Sequence, residues 1–166
     1  MSGVLDDDEL DYAIVEAIPL HRHLGIRRAP GADPSAVELP DLPQARNHLG
    51  GQSGAALFAA AEAASLAALF ATFGGALDSV FAVPAEATIR FRRPAVGGVT
   101  ARARIVSDRA TVLAAMAAGR KQAVELTMEV VDDQQRLVAD ARVRWHVGPR
   151  RPGSPRALPR RPGAAG

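Results

Sequence analysis

Apolar and polar residues alternate with two different periods, one in each half of the chain. In the first half, Leu10, Ile14, Ala17 and Ile18 recur at helical spacing after an acidic start. This predicts a short N-terminal helix over Asp8–Pro19, ended by the proline. His23–Ala29 and Ser35–Leu39 read as short extended pieces around the turn Pro30-Gly31-Ala32-Asp33-Pro34, and Pro40–Gln52 reads as loop. Ser53–Phe73 is the longest apolar run, has no β-branched residue before Thr72, and stops at Gly74-Gly75. It predicts a helix apolar all round, hence buried all round. A membrane span is the competing reading, opposed by the weak apolarity of alanine and by Glu62 near the middle.

After Pro84 the period becomes two. Ala87, Ile89 and Phe91 alternate with Thr88, Arg90 and Arg92; Val99, Ala101, Ala103 and Ile105 alternate with Thr100, Arg102 and Arg104. Val124, Leu126, Met128 and Val130, then Ala139, Ala141, Val143 and Trp145, repeat the pattern. Four half-buried strands follow, with turns at Pro94–Gly98 and Asp132–Gln135. Arg109–Gly119 reads as a short helix or a long connection. The result is an α+β architecture: one buried helix against an antiparallel sheet of five or so strands. The apolar face of the sheet meets the helix, and the other face carries arginines and acids.

Composition adds two points. The 166 residues suit one domain, but 34 are alanine and only seven aromatic, so the core needs close backbone packing and gains from a partner subunit. The absence of cysteine excludes disulfides, cysteine-rich zinc sites and cysteine nucleophiles. The acidic start MSGVLDDDELD opposes a secretory signal, so a cytoplasmic location is expected. The net charge of +2 hides a split: residues 149–166 hold five Arg, five Pro and no acid, which leaves −3 for residues 1–148. The expected organisation is an acidic segment and short helix over 1–19, a domain over 20–148 and a disordered basic tail over 149–166. With no aromatic residue among its arginines, the tail offers no stacking platform, and neither a nucleic-acid nor a membrane partner is expected.

Two features point to chemistry. Glu62 lies in a helix with no polar face, and an unpaired buried carboxylate is costly. It is either a general base or nucleophile facing a cleft, or a residue on a strip that reaches solvent or a core arginine. Ahead of the helix, Asn47-His48-Leu49-Gly50-Gly51-Gln52-Ser53-Gly54 leads into the helix N-terminus. Unpaired backbone N–H groups there can polarise a carbonyl oxygen, and Gly54 permits close approach.

Asn47-x-x-Gly50-x-x-Ser53-Gly54-Ala55, then Ala56-Leu57-Phe58 and Glu62, resembles the signature of hotdog-fold acyl-CoA thioesterases of the phenylacetate-type (PaaI-like) branch. That branch reads Asn-x-x-Gly-x-x-His-Gly-Gly, with a catalytic Asp, or Glu in some branches, eight residues after the first glycine of His-Gly-Gly. Here Ser53 replaces the His, Ala55 the second Gly, and Glu62 the Asp. His23-Leu24-Gly25-Ile26 is similar to the family's first strand, and Arg120–Val147 to its last two.

The resemblance implies a curved antiparallel sheet of five to six strands around one long central helix. It implies subunits paired edge to edge as a homodimer or homotetramer, with acyl-CoA in a cleft between them and no cofactor or metal. Gly54 N–H would polarise the thioester, Glu62 of the facing subunit would activate water or attack, and Asn47 would orient substrate or water. Gly50, Ser53, Ala55 and His48 would border the substrate, with His48 the nearest stand-in for the absent motif His. Surface arginines would meet the CoA phosphates. A non-catalytic hotdog module that binds acyl-CoA or serves assembly is the alternative, motivated by Ser53.

Three other patterns lead elsewhere. Gly51-Gln52-Ser53-Gly54-Ala55 looks like a nucleophile elbow, but that motif needs a parallel sheet. His21 and His23 alternate without a carboxylate cluster, so a metal site is not expected. Trp145, Phe91 and Phe81 are expected in the core.

Overall fold

The alternating segments pair into one six-stranded sheet, wholly antiparallel, in the order β1-β2-β4-β5-β6-β3. The computed structural model describes residues 15–77 and 80–150. The strands are β1 Arg27–Arg28, β2 Val37–Leu39, β3 Val80–Phe91, β4 Val99–Ile105, β5 Gln122–Asp132 and β6 Leu137–Pro149. The helices are α1 Pro19–Leu24, α2 Gly54–Phe73 and α3 Arg109–Ala117. This is the α+β arrangement expected from the sequence, with α2 seated on one face of the sheet, chiefly against β4 and β5. The outward row Arg144 bridges Glu86 and Glu125 across three strands, while Arg92 pairs with Asp140.

The inward residues of β5 (Val124, Leu126, Met128, Val130) and β6 (Ala139, Ala141, Val143, Trp145) are all buried against α2 or its neighbours. Gly54–Leu77 is long and apolar enough to cross a membrane by length and composition. Yet 72% of its most apolar stretch is buried inside the fold, as befits a core helix.

Several expectations need correction. Pro19 opens a helix rather than preceding an extended piece: it occupies the first turn of α1, where its missing N–H costs nothing. His21 and His23 are therefore helical, and His21 is buried with Nδ1 2.8 Å from Val15 O. The extended piece shrinks to Arg27–Arg28. β3 begins at Val80, four residues before Pro84. Proline is tolerated there because β3 is an edge strand whose register slips between Pro84 and Glu86. Arg109–Ala117 is a helix capped by Asp108, whose side chain accepts from Thr111 N–H. β6 runs on through Pro149, and Arg150 donates to Val80 O. Of the helix expected over Asp8–Pro19, residues 15–17 are helical and the turn ends at Ile18, while residues 8–14, like the tail over 151–166, lie outside the described residues.

The largest departure concerns β3. Ala87, Ile89 and Phe91 pair with inward residues of β6, yet Ala87 and Phe91 are exposed and Ile89 is only half-buried. Among the described residues, no other element covers the apolar face of this edge strand.

Candidate active site

The loop ahead of α2 is closed by its own first residue. Asn47 Oδ1 accepts from Leu49 N–H at 2.9 Å and Gly51 N–H at 3.2 Å, and Nδ2 donates to Gln52 O at 3.1 Å. Gly50 sits at φ +82°, a conformation that favours glycine. Ser53 caps α2 by accepting from Ala56 N–H at 3.1 Å. Gly54 and Ala55 N–H then remain without intrahelical acceptors at the positive end of the helix. His48 and Ala55 are exposed at this end.

A cavity of about 770 Å³ opens beside this helix end. Its walls include Asn47, Gly51, Gln52, Gly54, Leu57 and Phe91. Leu49, Phe91 and Val96 form an apolar rim, and Arg92 and Arg93 lie at its border. Arg92 is committed to Asp140, whereas Arg93 makes no ion pair among the described residues. Phe91 is thus a cavity residue and not the core residue expected; it ends an edge strand that no other element covers among the described residues. Trp145 is core, at 3% exposure, and Phe81 is half-buried.

Gln52 is a site residue that sequence reasoning missed. It is buried, and its Nε2 donates to Pro40 O at 3.3 Å and Gly97 O at 3.1 Å, tying two loops to the cavity wall. Its Oε1 has no partner among the described residues. The Gly97 loop is fixed in turn by Asp132, which accepts from Val96 N–H and binds Arg136 at 2.7 Å. Burial pushes the Asp132 carboxyl up, but its bonds from Arg136 and Val96 outweigh that and hold it at about 2.

Glu62 is half-buried on the strip of α2 that also carries Ala55 and Phe58. It makes no ion pair or side-chain hydrogen bond among the described residues, and no core arginine meets it. It does not line the cavity. Eight residues of helix separate it from Gly54, about 12 Å along the axis. One chain therefore brings together Asn47, Gly50 and Gly54, and leaves Glu62 one side of the helix away. Among the described residues no three His, Asp or Glu cluster as metal ligands.

Residues 29–147 match the model of a domain of unknown function, DUF4442. The chain belongs to the DUF4442 family. No curated protein matches the chain. Among solved structures, this DUF4442 chain is similar to the Pseudomonas aeruginosa protein PA5026, a probable thioesterase. The two share 28% identity and a TM-score of 0.70 over 86% of this chain and 95% of that one. It is similar in fold to the Escherichia coli PaaI protein of the phenylacetic acid degradation operon, at 23% identity and TM-score 0.63 over 84% and 92% of the two chains. It is also similar in fold to Bacillus halodurans BH2602, solved with CoA, at 23% identity and TM-score 0.59 over 79% and 76%. The DUF4442 chain thus has the hotdog fold of the thioesterase superfamily.

Proposed function

We propose that this chain hydrolyses an acyl-CoA thioester as a PaaI-like hotdog thioesterase, working as a homodimer or homotetramer. The observation that carries the reading is Glu62: a half-buried carboxylate on an otherwise apolar helix, with no ion pair or side-chain hydrogen bond among the described residues. The apolar face of edge strand β3 also has no cover among the described residues. A second copy joined along β3 would cover that face and set Glu62 of one subunit opposite the Gly54 end of the other. The thioester carbonyl would then accept from Gly54 N–H, and Glu62 would take a proton from water as its oxygen bonds to the carbonyl carbon, then return that proton to the CoA sulfur as the C–S bond breaks, releasing the free acid. In the nucleophilic variant Glu62 would itself displace the CoA thiolate to form a mixed anhydride, which water then cleaves to the acid and the restored carboxylate. Asn47 and Gly50 serve by shaping the loop, Ser53 by capping the helix, and Ala55 and His48 by bordering the entrance. The CoA bound by BH2602 and the thioesterase assignment of PA5026 support this substrate class.

The test is a panel of short, medium and aromatic acyl-CoAs with thiol release as readout. Glu62→Gln should lower kcat by about a hundredfold or more with an unchanged assembly. Full activity in that variant would overturn the reading.

One observation favours a non-catalytic acyl-CoA module. Ser53 stands where the family motif has His, and its oxygen is occupied in capping. Saturable CoA-ester binding without turnover across the panel would establish that alternative.

A further inference from the structure

α2 has an unusual orientation problem. Eight of its buried positions are alanine, and its apolar side chains lie all round it. Alanine offers a neighbouring sheet nearly the same shallow surface in every direction, so only Leu57, Leu66, Leu69 and Phe73 let packing distinguish one rotation or depth from its neighbours. The cost of burying Glu62 keeps the face that carries it outward, and a direction-dependent contact sharpens the rotation and depth of α2.

Ser65 supplies it. It is the only polar residue among the buried positions of α2 and is 0% exposed. Its Oγ accepts from Trp145 Nε1–H of β6 at 3.0 Å and donates to Glu62 O at 2.7 Å. Trp145 is itself buried, on the strand between β5 and the edge strand β3. Turning or sliding α2 would strand a buried indole N–H without an acceptor, a penalty that apolar contacts do not carry. The chain from indole to hydroxyl to carbonyl ends on the backbone of Glu62, about 60° round the helix from Ser65.

We infer that Ser65 and Trp145 are positioning residues for Glu62: together they fix the rotation and depth of α2 that present its carboxylate on the open strip. The catalytic part of this inference rests on the thioesterase reading, and the placement part does not. Neither residue touches substrate. A shift of α2 by a fraction of an ångström would leave binding at the Gly54 end nearly intact while misplacing the carboxylate, which is costly for a reacting group.

The experiment exploits two features of the sequence, the single tryptophan and the absence of cysteine. Glu62→Cys places one thiol at the strip, and its rate of reaction with a water-soluble disulfide reports the accessibility of position 62. Adding Ser65→Ala should change that rate by about threefold or more and shift Trp145 emission, as the indole loses its acceptor. In the Glu62 chain, Ser65→Ala and Trp145→Phe should each lower kcat about tenfold with KM within about twofold, and the double variant should be no worse than either. An unchanged labelling rate, or additive losses in kcat, would overturn the inference. Should Glu62→Gln retain full activity while labelling still responds to Ser65→Ala, the thioesterase reading fails and the placement stands.

Discussion

The ring of Phe91 stands 3.0 Å from the point where a β-carbon on Gly54 would lie. The glycine at the helix end therefore makes room for an aromatic side chain at the end of β3, and both residues line the same cavity. Phe91 is 55% exposed, so it has space to yield. Gly54→Ala should change stability by no more than about 1 kcal/mol. It should also lower kcat/KM about tenfold or more by disturbing the carbonyl site. Phe91→Ala in the same chain should restore part of the loss. Thermal unfolding and thiol release measure the two effects separately.

Arg93 and Arg92 make a matched comparison. Both border the cavity, but only Arg92 is engaged, with Asp140. Arg93→Ala should raise KM for acyl-CoA by about three- to tenfold, with kcat unchanged and the salt dependence of KM reduced. A pantetheine thioester without the nucleotide phosphates should lose this difference between the two proteins. Equal effects on both substrates would remove Arg93 from phosphate recognition.

Asp132 should set part of the acid stability. Its folded-state value of about 2 lies below the ordinary 3.8, so the contribution is complete above about pH 4 and fades as pH falls toward 2. Asp132→Asn should cost about 2–3 kcal/mol at pH 7, because it weakens a buried charge pair and the anchors of the Pro94–Gly98 loop. Urea unfolding of both proteins should converge as pH approaches 2. A constant difference across that range would rule out the carboxylate as the cause.

The uncovered face of β3 predicts its own variant. Ala87 is exposed on that face, opposite Val143 of β6. Ala87→Asp would place a charge in any joint between two copies, and close apposition across a two-fold axis doubles it. Sedimentation should show a shift toward monomer, with thioesterase activity falling in parallel. An unchanged mass would place the subunit contact elsewhere.

Most of the fold was legible because two periods mark it plainly. β5 alternates from Val124 to Val130 and β6 from Ala139 to Val147, and α2 runs from its cap at Ser53 to Gly74 without a break. Misreadings cluster at prolines. Pro19 reads as a stop, and the helical turn over residues 15–17 does end at Ile18, but the same proline also starts α1; Pro84 hides the first residues of β3, since only an edge position makes it acceptable. In the site, Glu62 and Gly54 stand out locally, one by charge and one by motif. Gln52 does not: its bonds reach residues 12 and 45 positions away, and no local pattern encodes them. The same holds for Ser65 and Trp145, 80 residues apart. Phe91 misleads because alternation tells which face a residue occupies and not whether another element covers that face.

The sheet's two borders are unlike. β1 is two residues long, both arginine, with Arg27 held by Glu38; β3 runs for twelve residues. A short, charged border offers an incoming strand almost nothing to pair with. Among the described residues the sheet therefore has a valence of one for growth by strand addition. In the proposed dimer, β3 meeting its counterpart would use up that joint, and the opposite border would not propagate it. Such an assembly would keep an alanine-rich protein with one long open edge from becoming the repeating unit of a fibre.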